Sequence, residues 1–285
     1  MEFLLFIVIG FSISMLSGFF GIGGGFVLTP VLLLIGYSPI EAISTSLMYT
    51  IGTSISGVYA HFKMKNIQWK AALIIGFSGV VATQIAYPFV NWLEAKNYDE
   101  IVIPIMYLVL LSYFAFKMLK KNQQSVNQKT NSSSIMTLII IGVIGGFLST
   151  TLGVGGGFII VPLLISFYSL TSRQAVATSL ASVILIVTAG FITYAVNNPI
   201  PYDIGFLLIG GAVIGSQLGA RATNYVKNKS IQKLLGYLYI VTMAGLILQM
   251  LDQTILGLIT LGGYTIFVNV YLAVRLIQKK VFAAE

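Results

Sequence analysis

Apolar segments of about 20 residues follow one another along the whole chain, and no other feature restricts the fold as strongly. That is the length a helix needs to cross ~30 Å of hydrocarbon. The segments run at about 3–36, 42–62, 70–91, 100–118, 135–170, 174–196, 202–220, 232–250 and 254–274. Of the 285 residues, 57% are hydrophobic and 8% charged, against roughly 25% charged in ordinary proteins. A water-facing surface cannot be assembled from that composition, so an all-α polytopic membrane protein is expected. The first segment does not read as a cleaved leader, because Met1–Glu2 supplies no basic region ahead of it.

The formal net charge is +8, but the basic residues lie between apolar segments, as they do in cytoplasmic loops. They form no single patch for nucleic acid. Cysteine is absent, which excludes disulfides and thiolate metal sites. No GxxxxGK[ST] phosphate loop, nucleophile–base set or His–Glu metal cluster occurs, so neither an enzyme nor a cofactor-binding protein is expected.

The chain repeats itself. Gly21-Ile22-Gly23-Gly24-Gly25-Phe26 returns as Gly153-Val154-Gly155-Gly156-Gly157-Phe158, and Pro30 returns as Pro162. Thr45-Ser46-Leu47 returns as Thr178-Ser179-Leu180, Gly57 as Gly190, and Gln84 as Gln217. The offset is 132 residues at the glycines and 133 thereafter. The expected organisation is a first repeat over 1–119, a polar cytoplasmic linker over 120–134, a second repeat over 135–251, and an extra span with its tail over 252–285. The first segment of each repeat is too long for one crossing and too short for two. The glycine cluster at its middle, costing about 1 kcal/mol per glycine in a helix, predicts two half-helices joined by a loop.

Loop charges predict the relation between the halves. The loop Lys63–Lys70 is basic while its counterpart Asn197–Asp203 is not, and the acidic loop Asn91–Glu100 corresponds to the basic loop Arg221–Lys233. If Lys and Arg mark the cytoplasm, equivalent loops lie on opposite sides. The expected fold is therefore two inverted repeats, each a broken, re-entrant helix hairpin plus three spans, with one extra C-terminal span.

Broken helices at the interface of inverted repeats are a common site for substrate in secondary transporters. A half-helix starting after each glycine run presents free N–H groups and the positive end of its dipole, which favours an anion. Candidate binding residues are Gly23, Gly24, Gly25, Gly155, Gly156 and Gly157, the hydroxyls of Thr45, Ser46, Thr178 and Ser179, and the amides of Gln84 and Gln217, with Tyr49 a looser candidate. Pro30 and Pro162 are read as first-turn residues that need no donor. His61, the sole histidine, reads as an interfacial residue, and Arg221 as a positive-inside anchor. No carboxylate falls within a segment, so no proton relay is evident.

The doubled G-x-G-G-G-F-x-x-x-P pattern with T-S-L, at Gly21–Pro30 with Thr45–Leu47 and at Gly153–Pro162 with Thr178–Leu180, resembles the sulfite exporter TauE/SafE family of membrane permeases. The resemblance spans about residues 3–250. It implies a multi-pass protein of the bacterial inner membrane that moves sulfite, thiosulfate, sulfoacetate or a related sulfonate. The expected partners are a small anionic substrate and the lipid bilayer, and a homo-oligomer is compatible with the sequence. Two readings stay open: an alternating-access carrier, and a channel-like anion pore or membrane subunit that hands anions to a partner enzyme.

Overall fold

The computed structural model describes residues 2–119 and 134–282. Among these residues the fold is all α, with no strand. The helices are α1 (Glu2–Phe20), α2 (Gly25–Leu34), α3 (Pro39–Lys63), α4 (Trp69–Ala95) and α5 (Asp99–Leu119) in the first half. The second half has α6 (Ile135–Leu152), α7 (Gly157–Phe167), α8 (Ser172–Asn197), α9 (Tyr202–Ala222), α10 (Asn228–Met250) and α11 (Thr254–Phe282). The linker expected at 120–134 lies outside the described residues except for Ser134, whose hydroxyl accepts the Met136 N–H at the start of α6.

The glycine runs break both long segments, and α2 and α7 begin at the last glycine of each run. The two arms of each hairpin are unequal, which corrects the expectation of paired half-helices. At 1.5 Å per residue, α1 and α6 reach about 28 and 27 Å, whereas α2 and α7 reach about 15 and 17 Å. The break falls after the midpoint because Gly10, Gly142, Gly145 and Gly146 sit in helix where close packing offsets their low propensity. Pro30 and Pro162 likewise fall inside the helices and not in the first turn. The carbonyl that Pro162 leaves without an N–H is that of Phe158, and the Tyr239 hydroxyl donates to it at 2.7 Å.

Seven helices, α4, α5, α6 and α8 to α11, are long and apolar enough to cross a membrane. With 25 residues, α3 has the length, but Ser44, Thr45, Ser46, Thr50, Thr53, Ser54 and Ser56 on it are all buried. Its polarity points inward. Hydroxyls hidden from lipid lower the hydropathy of a helix without making it unfit for the bilayer core.

Equivalent contacts recur between the halves. Along α1, Gly10 meets Leu208 and Gly18 meets Ser216 of α9; along α6, Gly142 meets Ile75 and Gly146 meets Gly79 of α4. Both pairs run parallel, with glycines letting the backbones approach, as small residues do at membrane helix interfaces. Helices α3 and α8 cross antiparallel at the centre, Gly57 against Leu180 and Gly190 against Leu47. Both start with a capping box: Ser38 with Glu41 on α3, and Thr171 with Gln174 on α8. Satisfying two amides at each start fixes where these helices begin.

Charge separates along the bundle. Arg173 donates to the carbonyls of Thr223, Asn224 and Val226, Asn224 reaches Met64, and the Gln68 N–H donates to Thr178. Those contacts gather the loops 63–70 and 221–233 at one end, with Lys63, Lys65, Arg173, Arg221, Lys227 and Lys229. At the other end Asn198 donates to the Tyr87 hydroxyl, and Tyr37 lies near Asp203 and Glu41. Burial first, then those two carboxylates, hold the Tyr37 phenol above its ordinary pKa.

Candidate site at the two glycine loops

The two loops meet. A side chain at Gly25 would collide with the Gly153 carbonyl, and one at Gly157 with the Gly21 carbonyl. Gly23 and Gly155 hold φ of 75° and 78°, in the left-handed region that other residues enter only at a cost. Behind the loops the two motif phenylalanines, Phe26 and Phe158, stack with ring centroids 5.1 Å apart. Residues 13–30 and 149–165 are buried throughout.

Helix α3 supplies the polar lining of the first loop. Thr50 accepts the Gly25 N–H at 2.8 Å and Thr53 accepts the Gly24 N–H at 3.3 Å. Thr29 donates across to the Gly153 carbonyl at 3.2 Å, and Ser179 of α8 donates to the Gly21 carbonyl at 3.0 Å. Each half thus holds the other half's loop through a hydroxyl. The second loop is built differently. The positions matching Thr50 and Thr53 are Val183 and Ile186, so no hydroxyl covers the amides of Gly156 and Gly157. Gly24 is right-handed helical, whereas Gly156 has φ of 74°.

Several buried hydroxyls around the loops have no hydrogen-bond partner within the chain: Ser17, Thr45, Ser46, Ser54, Ser149 and Thr150. Ser17 and Ser149 are equivalent positions, each four residues before the first motif glycine. Ser149 lies beside Gly156, its Cβ 3.3 Å from where a side chain there would begin. A buried polar group left unpaired costs about 1–3 kcal/mol, so this cluster is an expensive feature for a purely structural core.

The candidate residues separate accordingly. The six glycines, Ser46 and Ser179 belong to the two loops or carry buried hydroxyls next to them. Thr45 is buried and unpartnered, whereas Thr178 is occupied by the Gln68 amide at 3.1 Å. Gln84 is exposed and turns to Thr83 and Thr193, at 3.1 and 3.4 Å; Gln217 is half-buried on α9. Tyr49 is buried, donates to the Gly10 carbonyl and blocks any side chain at Gly24. His61 is fully buried, with Nε2 3.5 Å from the Gly18 carbonyl and Nδ1 unpartnered. That corrects its reading as an interfacial residue. Thr50 and Thr53 escaped the sequence reading because they do not recur in the second half. Their spacing on one face of α3, together with Gly57 and His61, was the available signal. Among the described residues no cluster of metal-ligating side chains occurs.

The sequence is similar to those of known membrane proteins. The family model described as "Sulfite exporter TauE/SafE" matches residues 6–246. A probable membrane transporter protein of Methanocaldococcus jannaschii is 31% identical over 247 residues, covering 81% of this chain and 90% of that protein. One from Bacillus subtilis is 29% identical over 223 residues, covering 78% and 90%. One from Haemophilus influenzae is 29% identical over 256 residues, covering 81% and 92%. No solved structure matches. The chain is a multi-pass membrane transporter, and it belongs to the sulfite exporter TauE/SafE family.

Proposed function

We propose that the protein is a secondary transporter for a small anion, with a sulfur oxyanion or organosulfonate such as sulfite, thiosulfate or sulfoacetate as the favoured class. The observation that carries this reading is the pair of glycine loops. They pack together at the centre, two helices start from them, and unpartnered hydroxyls surround them. Each helix start carries roughly half a positive charge on its amides, and hydroxyls add donors without a fixed cation that would hold the anion too tightly. The sulfur chemistry comes from the family, not from the loops.

Because Thr50 and Thr53 already engage the α2 amides, the open donors are those of α7. The anion's position is therefore off-centre, against Gly156, Gly157 and Ser149, with Ser46, Thr45 and Ser179 within the surrounding cluster. Thr178 is occupied by the Gln68 amide and Gln84 turns to Thr83 and Thr193, so this position for the anion does not use them.

The halves are inverted in the bilayer, with the basic end cytoplasmic. The antiparallel crossing of α3 and α8 and the segregation of charge support this. Complete burial of both loops supports alternating access over a channel-like pore, since a water-filled pore would wet its narrowest ring. The test is counterflow in proteoliposomes. Labelled sulfite, thiosulfate or sulfoacetate should exchange against unlabelled anion and saturate. Flux that rises linearly with concentration and shows no counterflow would replace the carrier with a pore.

A further inference from the structure

A cavity of about 800 Å³ opens between α1, α9 and α11, on the outer side of the first hairpin. That volume is within the ~300–1,000 Å³ of ordinary ligand sites. Its walls are mostly apolar: Phe11, Met15 and Leu218 on one side, Val270, Ala273 and Ile277 on the other. Asn269 of α11 is among them, its amide donating to the Ser12 carbonyl. Arg221 lines it too, together with Tyr225, where α9 ends at the basic end of the bundle. The guanidinium is exposed and makes no hydrogen bond or ion pair with any described residue. The described carboxylates Glu41, Glu94, Asp99, Asp203 and Asp252 all sit on loops or helix ends at the opposite end, so none can neutralise it.

The equivalent seam between the halves gives a matched comparison. The equivalent groove between α4 and α6, lined by Ala82, Ile85 and Phe147 among others, measures about 340 Å³ and is wholly apolar. Pro88 stands where Arg221 would be. Among the described residues no helix covers that groove, and α11 has no counterpart there. The cation and the extra wall therefore come together, at one of the two equivalent seams only.

We infer that this cavity is a binding site for an anionic phospholipid, with the phosphoryl group on Arg221 and an acyl chain between α11 and the α1–α9 seam. A phosphoryl anion pairs with a guanidinium through charge-assisted, often bidentate hydrogen bonds. A free oxyanion would gain the same contact but leave the apolar walls unfilled. The chain is what selects a lipid over inorganic phosphate. Because α1 leads into the first glycine loop, a lipid wedged against it bears on the hairpin that carries that loop.

The test uses the full-length protein, delipidated in detergent and titrated in native mass spectrometry. The probes are phosphatidylglycerol, phosphatidylcholine with the same chains, and inorganic phosphate. One phosphatidylglycerol should bind about tenfold or more tightly than phosphatidylcholine, whose choline cation offsets the same phosphoryl charge and repels the guanidinium. Inorganic phosphate should not compete. Arg221→Leu should abolish the preference and Arg221→Lys should keep part of it. Ala273→Phe, which fills the cavity and leaves the charge, should weaken phosphatidylglycerol binding as well. Displacement by inorganic phosphate would show a free-anion site. Full binding by Ala273→Phe would show a headgroup contact on the outer surface only. Either result overturns the proposal, and the comparison of the three probes on the parent protein needs no variant to fold.

Discussion

Replacing Thr50 with Val tests the asymmetry of the two loops, because it gives the first half the residue type that Val183 supplies in the second. The side chain keeps its shape and loses one oxygen. That oxygen accepts the Gly25 N–H at 2.8 Å and donates to the Ser46 carbonyl at 2.7 Å. The carbonyl still has its helical partner, whereas the Gly25 amide is left buried and unpaired, at a cost of about 1–3 kcal/mol. Without anion, Thr50→Val should therefore melt about 2–10 °C below the parent, on the usual conversion for a chain of this size. The amide it frees is a donor aimed at the loop junction. A saturating anion should then raise the melting temperature more in the variant than in the parent, since ligand stabilisation grows with affinity for the folded state. The assay is thermal unfolding of purified protein in detergent, with and without sulfite or thiosulfate. An unchanged melting temperature without anion would refute the role of Thr50 as the cap of α2. A smaller anion response in the variant would refute the idea that Thr50 and the anion compete for one kind of donor.

Gly25→Ala and Gly157→Ala should each hold the loops apart, because the added methyl meets a backbone carbonyl of the other half. Overpacking of this kind costs about 1–3 kcal/mol or more, and both variants should melt lower and lose counterflow, whereas Gly36→Ala, with nothing near its side-chain position, tests φ strain alone. Single cysteines in the loops 63–70 and 221–233 should label from one side of the membrane and those in 91–100 and 197–203 from the other; labelling of 63–70 and 197–203 from one side would refute the inverted arrangement. Tyr239→Phe should lower stability by about 1–3 kcal/mol, read as a lower melting temperature, because the Phe158 carbonyl already lacks the amide that Pro162 cannot offer.

Long apolar segments and a doubled glycine run made the membrane fold and its two breaks legible in the sequence. Gly21 and Gly153 mark where α1 and α6 stop, since backbone conformation is a local property and glycine is its clearest signal. The lengths of the arms were not legible. They depend on α1 lying against α9 and α6 against α4, contacts between residues nearly 200 and about 70 positions apart. The caps on α2 were hidden for the same reason. Thr50 and Thr53 read as ordinary helix residues until α2 is docked on α3. His61 shows the limit most plainly: it stands next to the basic loop in sequence, yet the turn of α3 that carries it faces α1.

The reciprocal grip of the loops has a consequence for how the chain is made. Ser179 secures Gly21 across a separation of 158 residues, so the first hairpin is synthesised long before its clasp exists. At roughly 5–20 residues per second, translation leaves that hairpin without its partner for about 8–30 s. A glycine-rich break carried to membrane depth during that interval would hold peptide groups that lipid cannot satisfy. The newborn first half must shelter against insertion machinery, or wait near the membrane surface and sink only when the second half arrives. Meeting of the two glycine loops and final burial of the first hairpin are then the same event, completed late in synthesis.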